Sequence, residues 1–83
     1  MKKYKSIVVD DDPISLKIFE KCIDRTGVFE QCLLLEDALS LKEHLKKEDC
    51  DVIFLDVELP ELSGLDFIKA FENLPPIVLM SNL

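Results

Sequence analysis

Apolar residues fall along this chain in short clusters that follow two different spacings. Ile7, Val8 and Val9 form a β-branched run bounded by charge, which predicts a strand buried on both faces, as in a parallel sheet. The run stops at Asp10, Asp11 and Asp12. Pro13 follows, suited to a first helical position because its missing N–H would have had no partner there, and Asp12 is placed to cap the helix. Ile14, Ile18, Phe19, Cys22 and Ile23 then recur at intervals of three and four, which predicts one apolar helix face running to about Thr26. Gly27 is the natural left-handed terminator.

The two spacings repeat downstream. Cys32-Leu33-Leu34-Leu35 predicts a second strand, and Asp37 can cap a second helix with Ala38, Leu41 and Leu45 on one side and Lys42, Glu43, Lys46 and Lys47 on the other. Val52-Ile53-Phe54-Leu55 predicts a third buried strand closing at Asp56, followed by a loop from Leu59 to Gly64, because Pro60 disfavours helix at the residue before it. Leu65, Ile68 and Phe71 recur with helical spacing up to Asn73, Pro75-Pro76 ends that helix, and Ile77-Val78-Leu79-Met80 predicts a fourth strand. Strands alternating with helices through short connections imply an α/β fold: a parallel sheet with helices on both faces and right-handed crossovers.

Composition narrows the functional classes. Eighty-three residues, 48% hydrophobic and 33% charged with Gly 2 and Pro 4, fit one folded domain and argue against low complexity. Ten Lys plus Arg against 17 Asp plus Glu leave a net charge of −7, the wrong sign for neutralising phosphate backbone or anionic lipid, so neither nucleic acid nor membrane is an expected partner. The basic start Met1-Lys2-Lys3-Tyr4-Lys5 leads into an apolar stretch too short for a signal peptide or a membrane span, and a cytoplasmic location is expected. Cys22, Cys32 and Cys50 show no close Cys-x-x-Cys pair and are read as reduced, buried packing residues. His44, among Lys and Glu, is read as solvated surface.

The candidate chemistry lies at the strand ends. In open parallel sheets ligands bind beyond the carboxyl ends of the strands, near the point where strand order reverses. Asp10 and Asp11 follow strand one, Asp56 follows strand three, and Ser81-Asn82 follow strand four. Two unit charges 4 Å apart in a partly screened site repel by roughly 4 kcal/mol, so clustered carboxylates are costly without a cation. Carboxylate and carbonyl oxygens with no nearby Cys or His suit magnesium. Asp12 is read as a helix cap and not as a ligand.

Val9-Asp10-Asp11-Asp12-Pro13, Asp56-Val57-Glu58-Leu59-Pro60 with Gly64, and Val78-Leu79-Met80-Ser81 resemble the receiver domain of bacterial two-component response regulators. The resemblance implies a three-layer, doubly wound, flavodoxin-like fold with strand order 2-1-3-4-5. It implies Asp56 as acceptor of a phosphoryl group from a histidine kinase or phosphotransfer protein. Magnesium would be held by Asp10, Asp11, Asp56 and the backbone carbonyl of Glu58, and Ser81 would be the switch hydroxyl on the phosphoryl oxygen. The domain would assist its own phosphorylation without turning over a small molecule. The segment Phe54 to Leu65 is also similar to receivers joined to the LytTR class of output domain.

Leu59 stands where the family usually has Met, a volume-conserving exchange. Residues 1–83 carry the pattern only through its fourth strand, without the fifth strand, its lysine and the last two helices. The resemblance therefore implies an incomplete receiver with an open edge at Ile77–Met80, which predicts a homodimer, exchange of elements or aggregation. Two other readings compete. A degenerate receiver would serve as a protein-interaction module. A haloacid-dehalogenase-like phosphatase would use Asp10 and Asp12, although it wants Thr or Val where Ile14 stands and leaves Asp56 without a role.

Overall fold

The computed structural model describes residues 3–56, 59 and 74–80. The elements run β1 (Tyr4–Val9), α1 (Pro13–Thr26), β2 (Phe29–Leu35), α2 (Ala38–Lys47), β3 (Val52–Asp56) and β4 (Ile77–Met80). The helix predicted around Leu65 to Asn73 and the loop from Pro60 to Gly64 lie outside the described residues.

All strand pairs are parallel, and the sheet order is β2-β1-β3-β4. This is the doubly wound parallel arrangement that the alternating pattern predicts. β1 sits centrally, with Val9 beside Leu35 of β2 on one side and Leu55 of β3 on the other. Its Ile7, Val8 and Val9 are accordingly 1%, 0% and 0% exposed. Right-handed crossovers decide where the helices go. The chain moves from β1 to one side to form β2, then returns past β1 to form β3. Right-handedness then requires α1 and α2 to lie on opposite faces, as they do.

Alternation along the strands feeds the two cores. Val8, Leu34 and Phe54 face α1, where Leu16 and Ile23 are buried and Phe19 packs against Phe54 with ring centroids 4.9 Å apart and ring planes tilted by 56°. Ile7, Val9, Ile53 and Leu55 face α2, where they meet Ala38 and Leu41 together with Leu59. Leu41 is fully buried, a gain of roughly 1.5–3 kcal/mol over leaving it in water.

Both helices start where the capping residues indicate, and α1 also stops there. Asp12 and Asp37 accept backbone N–H groups at the two N-termini, and Gly27 terminates α1 at φ 68°, a conformation that costs a residue with Cβ.

Several expectations are corrected. The inward line of α1 is Leu16, Phe19 and Ile23, while Ile14 and Ile18 are 71% and 60% exposed. Cys22 shares their outward side and is exposed. Both lines have helical spacing, and only the docking of α1 on Val8 and Phe54 selects between them. Cys32 and Cys50 are half-buried and free, with burial pushing both thiols up from their ordinary value. His44 is half-buried, since it lines the groove between α2 and β2. Strands β1 and β2 begin earlier than their apolar runs, because Tyr4 to Ser6 and Phe29 to Gln31 join the ladder as well.

Candidate functional site

The order β2-β1-β3-β4 reverses direction between β1 and β3, which opens the binding crevice of such sheets at the carboxyl ends of those two strands. The sequence places acids there. The Asp10 N–H donates to the Leu35 carbonyl at 3.0 Å and so continues the ladder one residue beyond β1. That contact keeps Asp10 against the sheet, 8% exposed. Asp11, next in the chain, turns outward and is exposed. Asp56 is the last residue of β3, in register with Met80, and only 4% exposed.

These three side chains converge. One oxygen from each of Asp10, Asp11 and Asp56 lies within 4.8 Å of the other two. Asp10 and Asp56 are far apart in sequence, and the parallel pairing of β1 with β3 brings them together. Burial pushes the Asp10 carboxyl above its ordinary value; the Asp12 N–H pulls it back, and the neighbouring Asp56 and Asp11 carboxylates push it further up. A cation placed among the oxygens would reverse that preference. The donor set is three carboxylates with no thiol or imidazole, which fits a hard divalent ion such as magnesium.

Asp12 stands outside this cluster. Its Oδ1 accepts the Ile14 N–H and its Oδ2 accepts the Ser15 hydroxyl, each at 3.0 Å, so its carboxylate is engaged at the start of α1. The phosphatase alternative needs that carboxylate at the reacting centre and loses support here. The sequence pattern did not show that the Asp12 N–H donates to Asp10 Oδ1 at 3.0 Å. A short side chain bonding the backbone two residues on is a common turn device, and Asp-x-Asp before a helix was the available signal. Glu58 and Ser81, the carbonyl ligand and switch hydroxyl of the resemblance, lie outside the described residues. No helix among the described residues is long and apolar enough to cross a membrane.

Comparison with known proteins agrees with this architecture. The chain is 34% identical over 84 residues to protein-glutamate methylesterase/protein-glutamine glutaminase 1 of Burkholderia pseudomallei, covering 99% of this chain and 23% of that protein. It thus spans about a quarter of that relative's length. Among solved structures, the MaeR response regulator bound to beryllium trifluoride superposes with a TM-score of 0.88 at 21% identity, over 100% of this chain and 69% of that one. A CheY-like response regulator receiver domain from Methylobacillus flagellatus gives 0.83 at 20% identity, over 100% and 72%. At these identities the structural likeness shows the fold. The sequence pattern of the response regulator receiver domain matches residues 7–82, and the chain belongs to that family.

Proposed function

We propose that this chain accepts a phosphoryl group on Asp56 from a phosphohistidine of a kinase or phosphotransfer protein in the cytoplasm, with magnesium held by Asp10, Asp11 and Asp56. The observation that carries the reading is the convergence of these three carboxylates at the switch point between β1 and β3. Of the three, only Asp56 ends β3, where the family resemblance places the acceptor. The Glu58 carbonyl completes the proposed ligand set, and Ser81 is the proposed hydroxyl on the phosphoryl oxygens.

Transfer asks little covalent chemistry of the protein beyond one nucleophile. An oxygen of Asp56 forms a bond to phosphorus in line with the breaking phosphorus–nitrogen bond, and the donor imidazole leaves and takes a proton from solvent. Asp56 is presented by a strand end paired on both sides, so the attacking oxygen is positioned with little freedom to lose. Magnesium, when bound, supplies positive charge against the phosphoryl oxygens. Asp10 and Asp11 hold the negative charge that places it there. The domain functions as an acceptor that assists its own modification and turns over no small molecule.

The test uses the full-length protein with magnesium and a small acyl-phosphate donor. Intact-mass spectrometry should show one added phosphoryl group, located on Asp56 by peptide analysis and absent in Asp56→Asn. Unchanged labelling of Asp56→Asn would overturn the assignment. Acyl phosphate on Asp10 would favour the phosphatase reading instead.

A further inference from the structure

Asp12 is tied down at four points. Its N–H donates to Asp10 Oδ1 at 3.0 Å, while Oδ1 and Oδ2 of its own carboxylate accept the Ile14 N–H and the Ser15 hydroxyl, each at 3.0 Å. Its carbonyl accepts the Leu16 N–H at 3.1 Å, and Leu16 is 4% exposed in the core beneath α1. A chain of contacts therefore runs from the packed helix, through the cap, to one oxygen of a buried carboxylate in the acid cluster.

We propose that Asp12 is the positioning residue of this site: by capping α1 it holds in place the backbone N–H that orients the Asp10 carboxylate toward Asp11 and Asp56. The proposal rests on the metal reading of that cluster. Before a cation binds, three carboxylates push one another apart. A backbone N–H bonded to a carboxylate is among the stronger hydrogen bonds and favours one rotamer against that repulsion. The restraint prepares the site in advance, so that less ordering remains when the ion arrives. The extended backbone of Asp12, at φ −95° and ψ 110°, is what turns its N–H back toward Asp10 while its carboxylate reaches forward to the helix.

This role depends on capping ability and not on the charge of Asp12, and the two separate experimentally. Ser caps as well as Asp but carries no charge, whereas Ala does neither. In the full-length protein, calorimetric magnesium titration should show Asp12→Ala weakened roughly tenfold, the scale of lost outer-shell partners, with Asp12→Ser restored to within about twofold of wild type. In the metal-free protein the Asp12 amide should exchange with deuterium faster in Asp12→Ala and at the wild-type rate in Asp12→Ser. Wild-type magnesium affinity in Asp12→Ala, alongside a lower melting temperature, would overturn the proposal and leave Asp12 a cap alone. Equal losses in Asp12→Ala and Asp12→Ser would overturn it in favour of charge. Asp11→Asn is the control: if it binds magnesium like wild type, or if wild type binds none, the metal reading fails and takes the proposal with it.

Discussion

The two ends of the sheet handle charge in opposite ways. At the amino end, the Lys5 N–H donates to Asp51 Oδ2 at 2.8 Å, the Asp51 N–H donates back to the Lys5 carbonyl at 2.9 Å, and Lys5 Nζ lies 3.3 Å from Glu48 Oε1. Asp51 and Glu48 thus each face a donor or a cation. At the carboxyl end, Asp10, Asp11 and Asp56 face one another. The same chain that pairs its charges at one edge gathers like charges at the other, two of them buried. Such an arrangement costs stability in the free protein, a cost that the proposed magnesium would offset.

The largest expected effect would break this contrast directly. Asp11→Asn, and less strongly Asp10→Asn, should weaken magnesium binding by about tenfold or more, the range seen when metal-site partners are removed. Metal-free protein should melt higher in both variants, since one repelling charge is gone; each kcal/mol relieved moves the melting temperature of a domain this size by about 4–8 °C. Calorimetry and thermal melts with and without magnesium read both outcomes. Wild-type affinity with unchanged melting would make the two ends of the sheet alike.

At the amino end removal should only destabilise. Asp51→Ala should cost about 1 kcal/mol in chemical denaturation, the net worth of a hydrogen bond, and should leave magnesium affinity untouched. Glu48→Gln should cost less than about 0.5 kcal/mol, because its partner Lys5 Nζ is solvated and such pairs contribute little. A gain in stability from either variant would contradict the reading of that edge as satisfied.

The smallest effect concerns an acid at the carboxyl edge that is not in the cluster. The Ser40 N–H, and after it the Ser40 side chain, hold the Asp37 carboxyl below its ordinary value. The folded state therefore favours the ionised form. The resulting stability is present above the ordinary aspartate value and is lost as pH falls through the lowered one. Asp37→Ala should flatten that acid-side decline, measured as melting temperature against pH. An unchanged slope would remove Asp37 as its source.

Much of this organisation is legible from local pattern. β4, α1 and α2 occupy the residues their apolar runs and caps indicate, because Asp12, Pro13, Gly27 and Asp37 each answer a need of the backbone that neighbours cannot meet. The early starts of β1 and β2 were not legible. Lys5 and Gln31 are polar, and only their pairing across β1 and β2 makes their backbone part of the sheet. Nor was the inward face of α1, where two apolar lines compete on one helix. Asp10, Asp11 and Asp56 were legible as candidates because acids after strands are conspicuous. The bond from the Asp12 N–H to Asp10 was not read from it, although Asp-x-Asp before a helix carries the signal of such a turn.

What the amino-acid sequence determined by itself is the alternation of strands and helices, their caps, and which acids end which strands. These follow from propensities and hydrogen-bonding needs acting within a few residues. What the tertiary structure decided is that β1 and β3 are neighbours, that α1 turns Leu16 inward and Ile14 outward, and that Asp10 and Asp56 share one crevice. Each of these depends on contacts between segments distant along the chain, and the right-handed crossover, which local spacing cannot express, selects among them.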